Sequence, residues 1–442
     1  MDANQLDERY RAIAERWVTK SESGVTIHPL RASVQAIENL GLDATEARGL
    51  LALAEEQYAA KQLDDLLVSM ARINRCMAEG LATLCKDEPA TWAEYAGRLE
   101  SIPTADGRPM DWSTYRDRVH GAWLGKCIGT AVGDPVEGWT REAIKARHGW
   151  VDRYLVPPKT ENDDTAYPIL VLHVLDEHGA SFRSEDLGLE WVAHLPFAYT
   201  AEQAALDSLK GGVLPPNSRW QSNPCGAWVG GQMRGEVHGL IAPLQPALAA
   251  AFAFRDAVIS HYREGLEGAC YAAALVSLAF GERDVETLLH RGLAVVPASS
   301  RIRATVEQSI AWCQRYGAWE PVAEAIEREM CRYHWIHTLP NLACVVCGLM
   351  LGEGEFERSI LTTLACGLDT DCTAGQVGAL MGTVLGVRGI PEKWRKPIGD
   401  TLDTYVIGFE RMPIEELVRW TVAWGDRLSG RDAGSDSVTC GG

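Results

Sequence analysis

The stretch GLDTDCTAGQVGALMGTVLG, residues 367–386, places Asp369 and Asp371 directly before a helical pattern that is rich in glycine up to Gly386. A glycine inside a helix costs about 1 kcal/mol relative to alanine, so these glycines need a structural reason. The small residues recur at three- and four-residue spacing and so lie on one helix face: Ala374, Gly375, Gly378, Ala379 and Gly382. A face without side chains lets another backbone approach closely. We expect this helix to pack tightly and to hold both carboxylates at a fixed, crowded position.

A second small-residue stripe lies in GAWLGKCIGTAVGDPVEGW, residues 121–139. Its glycines recur every four residues, which predicts another helix built for close packing: Gly121, Gly125, Gly129 and Gly133. Pro135 ends this helix and leaves Glu137 on a loop. Taken alone, the pattern describes a tight helix and a turn with Glu137 at the surface.

A second acidic cluster occurs in ENDDTAYPILVLHVLDEH, residues 161–178. Asn162 is a good N-cap, and Asp163 and Asp164 in the first turn favour the positive end of the helix dipole. Helix capping alone would account for a single pair of adjacent aspartates, and Pro168 predicts a kink in the helix. Two acidic clusters that both begin helices in a glycine-rich region indicate a cation site. Converging carboxylates repel each other unless a cation lies between them. Oxygen ligands favour magnesium or manganese.

Composition excludes several classes of protein. The chain has 442 residues, of which 46% are apolar and 23% charged, as in ordinary soluble globular proteins. Its net charge of −18 argues against nucleic-acid binding, which needs clustered Lys and Arg. No apolar run reaches the roughly 18 residues that span a membrane, and no signal peptide is visible. The twelve cysteines are expected to be free thiols in a reducing cytoplasm.

Helical periodicity dominates the whole chain, which predicts an all-α fold. Residues 1–105 are charged, helical in pattern and poor in glycine, and they are expected to form an N-terminal helical segment. A turn-rich stretch at 101–112 precedes a region, 112–425, in which glycine and tryptophan become frequent. The tail, 429–442, contains few apolar residues and is predicted to be disordered.

The three motifs together resemble those of the ADP-ribosylglycohydrolase family, which includes the glycohydrolase that reactivates dinitrogenase reductase. That family has a glycine-stripe helix ending in G-x-P-x-E, a T-D-D-T cluster, and a G-x-D-x-D-[ST] cluster followed by a small-residue helix and I-P-x-x-W. The corresponding stretches here are Gly133 to Glu137, Asn162 to Thr165, Gly367 to Cys372, and Ile390 to Trp394. The resemblance covers residues 112–425, and the motifs follow each other in the family's order.

The resemblance implies an all-α catalytic domain with two magnesium ions in a central cleft, manganese being the alternative. The implied metal ligands are Asn162, Asp163, Asp164, Asp369, Asp371 and Cys372. Asn162 and Cys372 stand where the family has threonine, and Thr130 stands where many members have aspartate. Because a thiol suits magnesium poorly, one site should be weaker unless Thr373 supplies its hydroxyl.

The resemblance also implies the roles of other residues. Glu137, Asp164 and Asp371 are the expected catalytic residues. The loop 222–235 corresponds to a ligand-contacting loop of the family, so the substrate-binding candidates are Gly230, Gly231, Arg234 and His261. His261 has an equally good reading as a histidine at a helix end. The spacing of five residues imitates a zinc site: Cys331, His334, His337, Cys344 and Cys347. However, Cys344 and Cys347 lie in an apolar, helix-like run, where cysteine behaves as a small core residue.

The predicted function is magnesium-dependent hydrolysis of an N- or O-ribosyl bond in an ADP-ribosylated protein or small molecule. One alternative is a glycohydrolase that removes ribose or ribose phosphate from an NAD- or nucleoside-derived metabolite. The other is a non-catalytic ADP-ribose binder or structural protein. No nucleic-acid or membrane partner is expected, and the oligomeric state stays open.

Overall fold

The computed structural model describes residues 27–60, 62–104, 107 and 110–431, and the predicted disordered tail therefore lies largely outside the described residues. The helices, in chain order, are α1 (Ile27–Asn39), α2 (Thr45–Ala59), α3 (Leu63–Leu84), α4 (Trp92–Ala96), α5 (Trp112–Gly133), α6 (Arg141–His148), α7 (Asp163–His178), α8 (Ser184–His194), α9 (Thr200–Lys210), α10 (Gly230–Met233), α11 (Glu236–Ile241), α12 (Pro246–Ala257), α13 (Arg263–Ala279), α14 (Val285–Gly292), α15 (Arg301–Tyr316), α16 (Trp319–Met330), α17 (Thr338–Leu351), α18 (Phe356–Ala365), α19 (Thr370–Leu385), α20 (Glu392–Ile398) and α21 (Ile414–Leu428). Strands β1 (Thr401–Asp403) and β2 (Arg411–Pro413) form one antiparallel pair with Leu402 opposite Met412. The all-α prediction is confirmed.

The two glycine stripes pack against each other at the centre of the fold. A Cβ added to Gly121, Gly125 or Gly129 would lie only 2.1–2.3 Å from a backbone oxygen of α19. In return, a Cβ on Gly378 or Gly382 would lie 2.0–2.1 Å from a backbone oxygen of α5. The contact therefore runs backbone against backbone, and any larger residue would force the helices apart.

Helices α19 and α7 each differ in one detail from the sequence pattern. Helix α19 ends at Leu385, and Gly386 adopts φ +72° as its terminator, so this glycine lies outside the helix. Helix α7 continues through Pro168, which removes one backbone hydrogen bond but does not end the helix.

The N-terminal helices form an apolar cluster of their own. Buried side chains of α1, α2 and α3, such as Leu30, Leu50 and Ile73, meet each other and also contact Ala227 and Tyr262. Helix α4 instead joins the main core through Tyr95, whose hydroxyl donates to the Val295 carbonyl at 2.9 Å. Among the described residues, no helix is both long and apolar enough to cross a lipid bilayer.

Candidate metal centre

Asp369 and Asp371 stand at the N-terminus of α19, where a turn of unusual conformation fixes them. Gly367 and Leu368 both have positive φ, of 77° and 68°. The Leu368 N–H donates to the Trp139 carbonyl at 3.0 Å, and the Gly138 N–H donates to the Leu368 carbonyl at 2.8 Å. Because Gly138 follows Glu137, these bonds bring the loop with Glu137 against the start of α19.

The second acidic cluster meets the first through Asn162. The Asn162 side-chain oxygen caps α7 by accepting from the Asp164 N–H at 2.9 Å, which fixes the orientation of the amide. Its nitrogen then donates to Asp371 Oδ2 at 3.0 Å. Asn162 therefore contacts the cluster through its nitrogen in this structure, while its oxygen serves the helix end.

The carboxylates form two overlapping groups that could each hold a metal ion. Asp164, Asp371 and Cys372 offer ligand atoms within 4.8 Å of one another, and so do Glu137, Asp369 and Asp371. Asp371 belongs to both groups. The predicted convergence of two clusters about 200 residues apart in sequence is thus what the fold brings about.

Crowding of these acids changes their protonation. The pKa of Glu137 is raised to about 9, mainly by the negative charge of Asp371. Partial desolvation also raises this pKa, although Glu137 lies at the surface. Burial, together with neighbouring carboxylates, raises the pKa of Asp163 and of Asp369 well above the usual range. The pKa of Asp371 is also raised, by burial and by Asp164. Without a cation, the cluster must therefore retain protons.

Within this cluster, three buried carboxylate oxygens have no hydrogen-bond donor: Asp164 Oδ2, Asp369 Oδ1 and Asp371 Oδ1. Buried acceptors left without a partner are costly, so each requires an explanation. Asp369 occupies the N-cap position of α19, yet its side chain caps no backbone N–H, which rules out simple helix capping as its role. A hard divalent cation with oxygen ligands fits these atoms.

Lys126 is a site residue that the sequence analysis missed. Its buried ammonium donates to Asp164 Oδ1 at 3.0 Å and to the Met233 carbonyl at 2.5 Å, and it lies 3.4 Å from Glu236. Burial by itself would lower the pKa of Lys126, but Asp164 and Glu236 outweigh it and raise that pKa. The available signal was a lysine within the glycine stripe, on a helix that is otherwise apolar in this region.

The two groups consequently differ in their suitability for magnesium. Asp164 already has a cation in Lys126, and the Cys372 thiol donates to the Met233 sulfur at 3.4 Å. Glu137, Asp369 and Asp371 offer oxygen ligands only. Thr373, the alternative hydroxyl ligand, donates to the Asp369 carbonyl at 2.8 Å, and Thr130 donates to the Cys127 carbonyl within its own helix.

The predicted substrate-binding residues are buried inside the protein. Arg234 is 1% exposed, pairs with Glu202 and with Asp256 at 3.1 Å, and donates to Ser260 Oγ at 2.9 Å. His261 is fully buried and accepts from the Gly231 N–H at 3.0 Å.

Burial lowers the pKa of His261 well below its usual value, which keeps the ring neutral and able to accept. A Cβ on Gly230 would lie 2.2 Å from Glu202 Oε1, and one on Gly231 would lie 2.5 Å from the Gly265 carbonyl. Arg234 and His261 therefore use their polar atoms in contacts within the protein, and they support the loop 222–235 from its buried side.

Aromatic side chains border the cluster at the surface. Tyr199 is 40% exposed. Partial burial raises the pKa of its phenol, and the nearby Asp163 carboxylate raises it further. Tyr405 lies beside the same aspartate and stacks on Phe197 with 4.6 Å between ring centroids. Trp335 packs on the Glu137 side, about 3.5 Å from where a Cβ on Gly138 would be. A separate cavity of about 850 Å³, lined by Trp150 and Trp319 among others, shares no residue with the cluster.

Among the described residues, the cysteines and histidines between 331 and 347 do not form a zinc site. Cys344 and Cys347 are buried in an apolar cluster, Cys331 is exposed, and His334 stacks on Trp228 with 4.2 Å between ring centroids. The His337 Nδ1 atom caps α17 by accepting from the Leu339 N–H at 3.2 Å.

Comparison with known proteins gives concordant results. The sequence model of the ADP-ribosylglycohydrolase family matches residues 111–429. The uncharacterized protein YegU of Escherichia coli (strain K12) is 23% identical over 310 residues, which cover 62% of this chain and 89% of YegU. A solved structure titled ADP-ribosylglycohydrolase-related protein complex aligns with a TM-score of 0.53 at 23% identity, over 72% of this chain and 99% of the other. This last match demonstrates a shared fold.

Proposed function

The chain belongs to the ADP-ribosylglycohydrolase family, and from that premise we propose that it is a metal-dependent hydrolase of a ribosyl bond in an ADP-ribosylated protein or small molecule. The observation that carries the proposal is the carboxylate cluster at the joined N-termini of α7 and α19. It has three buried oxygens without a donor and an acidic residue, Glu137, at its open side. This arrangement argues against a purely structural role, because repulsion between the carboxylates lowers the stability of the folded protein.

We expect a magnesium-type ion to be held by Asp369, Asp371 and Glu137, and a second, weaker one by Asp164, Asp371 and Cys372. Asp163 contributes charge next to both positions. When bound, such an ion would orient ribose hydroxyls and make a nearby water more acidic. Lys126 already balances part of the negative charge at the second position, which supports a difference in affinity between the two.

The protein's own side chains supply the other catalytic and binding roles. Glu137 is the only acid of the cluster at the surface, so it is placed to take a proton from the attacking water once a bound cation keeps its carboxylate ionised. Asp371 and Asp164 supply negative charge opposite the positive charge that develops on the ribose ring as the glycosidic bond breaks. Asn162 keeps Asp371 in position through the 3.0 Å hydrogen bond. Tyr199 and Trp335 provide aromatic surface for the rest of the ligand.

A second candidate is hydrolysis of a smaller, nucleoside- or NAD-derived compound. Two observations favour it: Arg234 is fully used in ion pairs within the protein, and the N-terminal helices pack onto Ala227 in the loop 222–235. An enclosed loop of this kind would restrict the cleft to small ligands.

A substrate panel tests the proposal. The purified protein with magnesium is incubated with ADP-ribosyl-arginine, ADP-ribosyl-serine, NAD and nucleosides, and released ribosyl products are measured by liquid chromatography. The Glu137→Gln protein serves as the matched control, because it keeps the shape of the site. Release from an ADP-ribosyl compound supports the first candidate, and release from nucleosides or NAD alone supports the second. Binding of ADP-ribose without any hydrolysis would show that the protein is a binder.

A further inference from the structure

A second cluster of side chains that could bind a metal ion lies between α7 and α8. His173 comes from the middle of α7, and Glu190 and His194 come from α8, one helical turn apart. Their side chains are 24%, 13% and 22% exposed, respectively, so the cluster is half-buried and open to solvent on one side. At 1.5 Å per residue, His173 is about 14 Å along α7 from Asp164. The cluster is therefore separate from the carboxylate centre.

The three side chains converge on one point. Glu190 Oε2 lies 2.5 Å from His173 Nδ1 and 3.3 Å from His194 Nε2. One ligand atom from each residue lies within 4.8 Å of the other two. Phe409 packs against both imidazole rings, with centroid distances of 5.2 Å and 5.6 Å, and so limits their rotation.

Hydrogen bonding determines which nitrogen of His194 faces the carboxylate unprotonated. The Nδ1 atom lies 2.8 Å from the Ile407 carbonyl, which can only accept, so Nδ1 carries the hydrogen. In the neutral ring, Nε2 therefore points its lone pair at Glu190 Oε2, 3.3 Å away. Two lone pairs in contact repel each other unless a positive species, a proton or a metal ion, lies between them.

The arrangement around His194 is the one found at metal-bound histidines. In such sites the second ring nitrogen donates to a backbone carbonyl or a carboxylate, which fixes the tautomer and the ring orientation. Two imidazole nitrogens and one carboxylate oxygen are also a common zinc ligand set, with water as the fourth ligand. Imidazole selects zinc-type ions over magnesium, which prefers oxygen.

We propose that His173, Glu190 and His194 bind one zinc-type divalent ion, independently of the carboxylate centre. The ion would connect α7 to α8. Through the His194–Ile407 contacts, it would also fix the segment that carries Tyr405 next to Asp163. It would thus hold one wall of the cleft in place without touching the substrate.

Zinc binding to the full-length protein tests the proposal. Equilibrium dialysis with zinc is carried out in a large excess of magnesium, which occupies the carboxylate centre. Cobalt(II) is used in parallel, since its visible absorption bands report the coordination number and geometry of the bound ion. We expect one zinc ion per chain, and a loss of affinity of more than roughly tenfold in both Glu190→Gln and His194→Gln. Two variants should retain zinc: His178→Gln, which changes an exposed histidine of the same helix, and Asp371→Asn, which changes the carboxylate centre.

Circular dichroism and thermal melting identify any variant that fails to fold, and the wild-type cobalt spectrum then decides, because it needs no variant. Absence of a zinc ion in the wild type would overturn the proposal and leave a proton between Glu190 and His194. Zinc that persists in folded Glu190→Gln and His194→Gln, or that is lost in Asp371→Asn, would also overturn it.

Discussion

Replacing Gly129 with alanine tests whether the glycine stripes are the feature that positions the carboxylates. The new Cβ would lie 2.1 Å from the Ala374 oxygen, 2.4 Å from its carbonyl carbon and 2.6 Å from the Gly375 nitrogen. All three are backbone atoms, so no side chain can rotate away. Ordinary contact begins at 3.4 Å, and α5 and α19 would have to separate by more than about 1 Å.

The expected cost follows from two opposing effects. Overpacking typically costs about 1–3 kcal/mol, and contact with rigid backbone places this variant at the upper end. Alanine recovers about 1 kcal/mol because it favours the helix more than glycine does. We expect a net loss of about 2 kcal/mol in the free energy of unfolding, which for a domain of this size corresponds to a fall in Tm of roughly 2–4 °C. A shift of about 1 Å at the start of α19 should also lower turnover by about 10²-fold.

Thermal melting and a magnesium titration measure both effects, and Gly49→Ala is the matched control. Gly49 lies within α2, and a Cβ there would have no atom within 4 Å, so the same substitution should raise stability by up to about 1 kcal/mol. If Gly129→Ala melts at or above the wild-type temperature, as Gly49→Ala should, the close packing of the stripes does not constrain the site and the reasoning fails.

Four further predictions concern the centre and its surroundings. Glu137→Gln should lower the affinity for the first magnesium ion and slow turnover by about 10²–10⁴, whereas Asp371→Asn, at the residue that both groups share, should weaken the binding of both ions. Calorimetry with a rate assay separates the two variants, and loss of both ions in Glu137→Gln would contradict the assigned roles. Cys372→Thr should raise the affinity for a second magnesium ion, seen as a change in stoichiometry, because a hydroxyl suits magnesium better than a thiol. Glu137 has its pKa raised from 4.5 to about 9, so the folded, metal-free protein holds this proton more tightly than the unfolded chain. Its contribution to stability is therefore complete below pH 4.5 and lost as the pH rises through about 9, while magnesium affinity rises over the same range; a magnesium-induced thermal shift that does not grow with pH would contradict this. Deleting residues 1–105 should change substrate range and solubility while magnesium binding persists, since it exposes Ala227 and Tyr262 far more than it affects α19; a folded truncation that no longer binds magnesium would contradict it.

The sequence predicted the features that depend on spacing along one chain segment. The glycines of α5 and α19 recur at helical intervals, and the aspartates stand at the starts of α7 and α19, so their placement on helix faces and ends follows from helix geometry. The all-α class and the family's motifs could be recognised for the same reason, because each motif lies within about twenty residues.

Contacts between distant segments were beyond such reasoning. Lys126 is a buried lysine in a glycine stripe, and only the packing of α5 beside α7 and α11 explains it, through Asp164 and Glu236. Arg234 was expected at the ligand, yet Glu202 and Asp256 approach it from α9 and α12 and bury it. The sequence could not indicate that either charge would find partners inside the protein.

The amino-acid sequence by itself therefore determined which residues lie at helix ends and which helix faces are bare, since both depend only on local backbone periodicity. The tertiary structure alone decided which carboxylates share one cluster, which of them has a lysine as counter-charge, and where His173 meets Glu190 and His194. The physical reason is that charge–charge and ligand geometries are set by distances between helices, and those distances result from the packing of the whole chain.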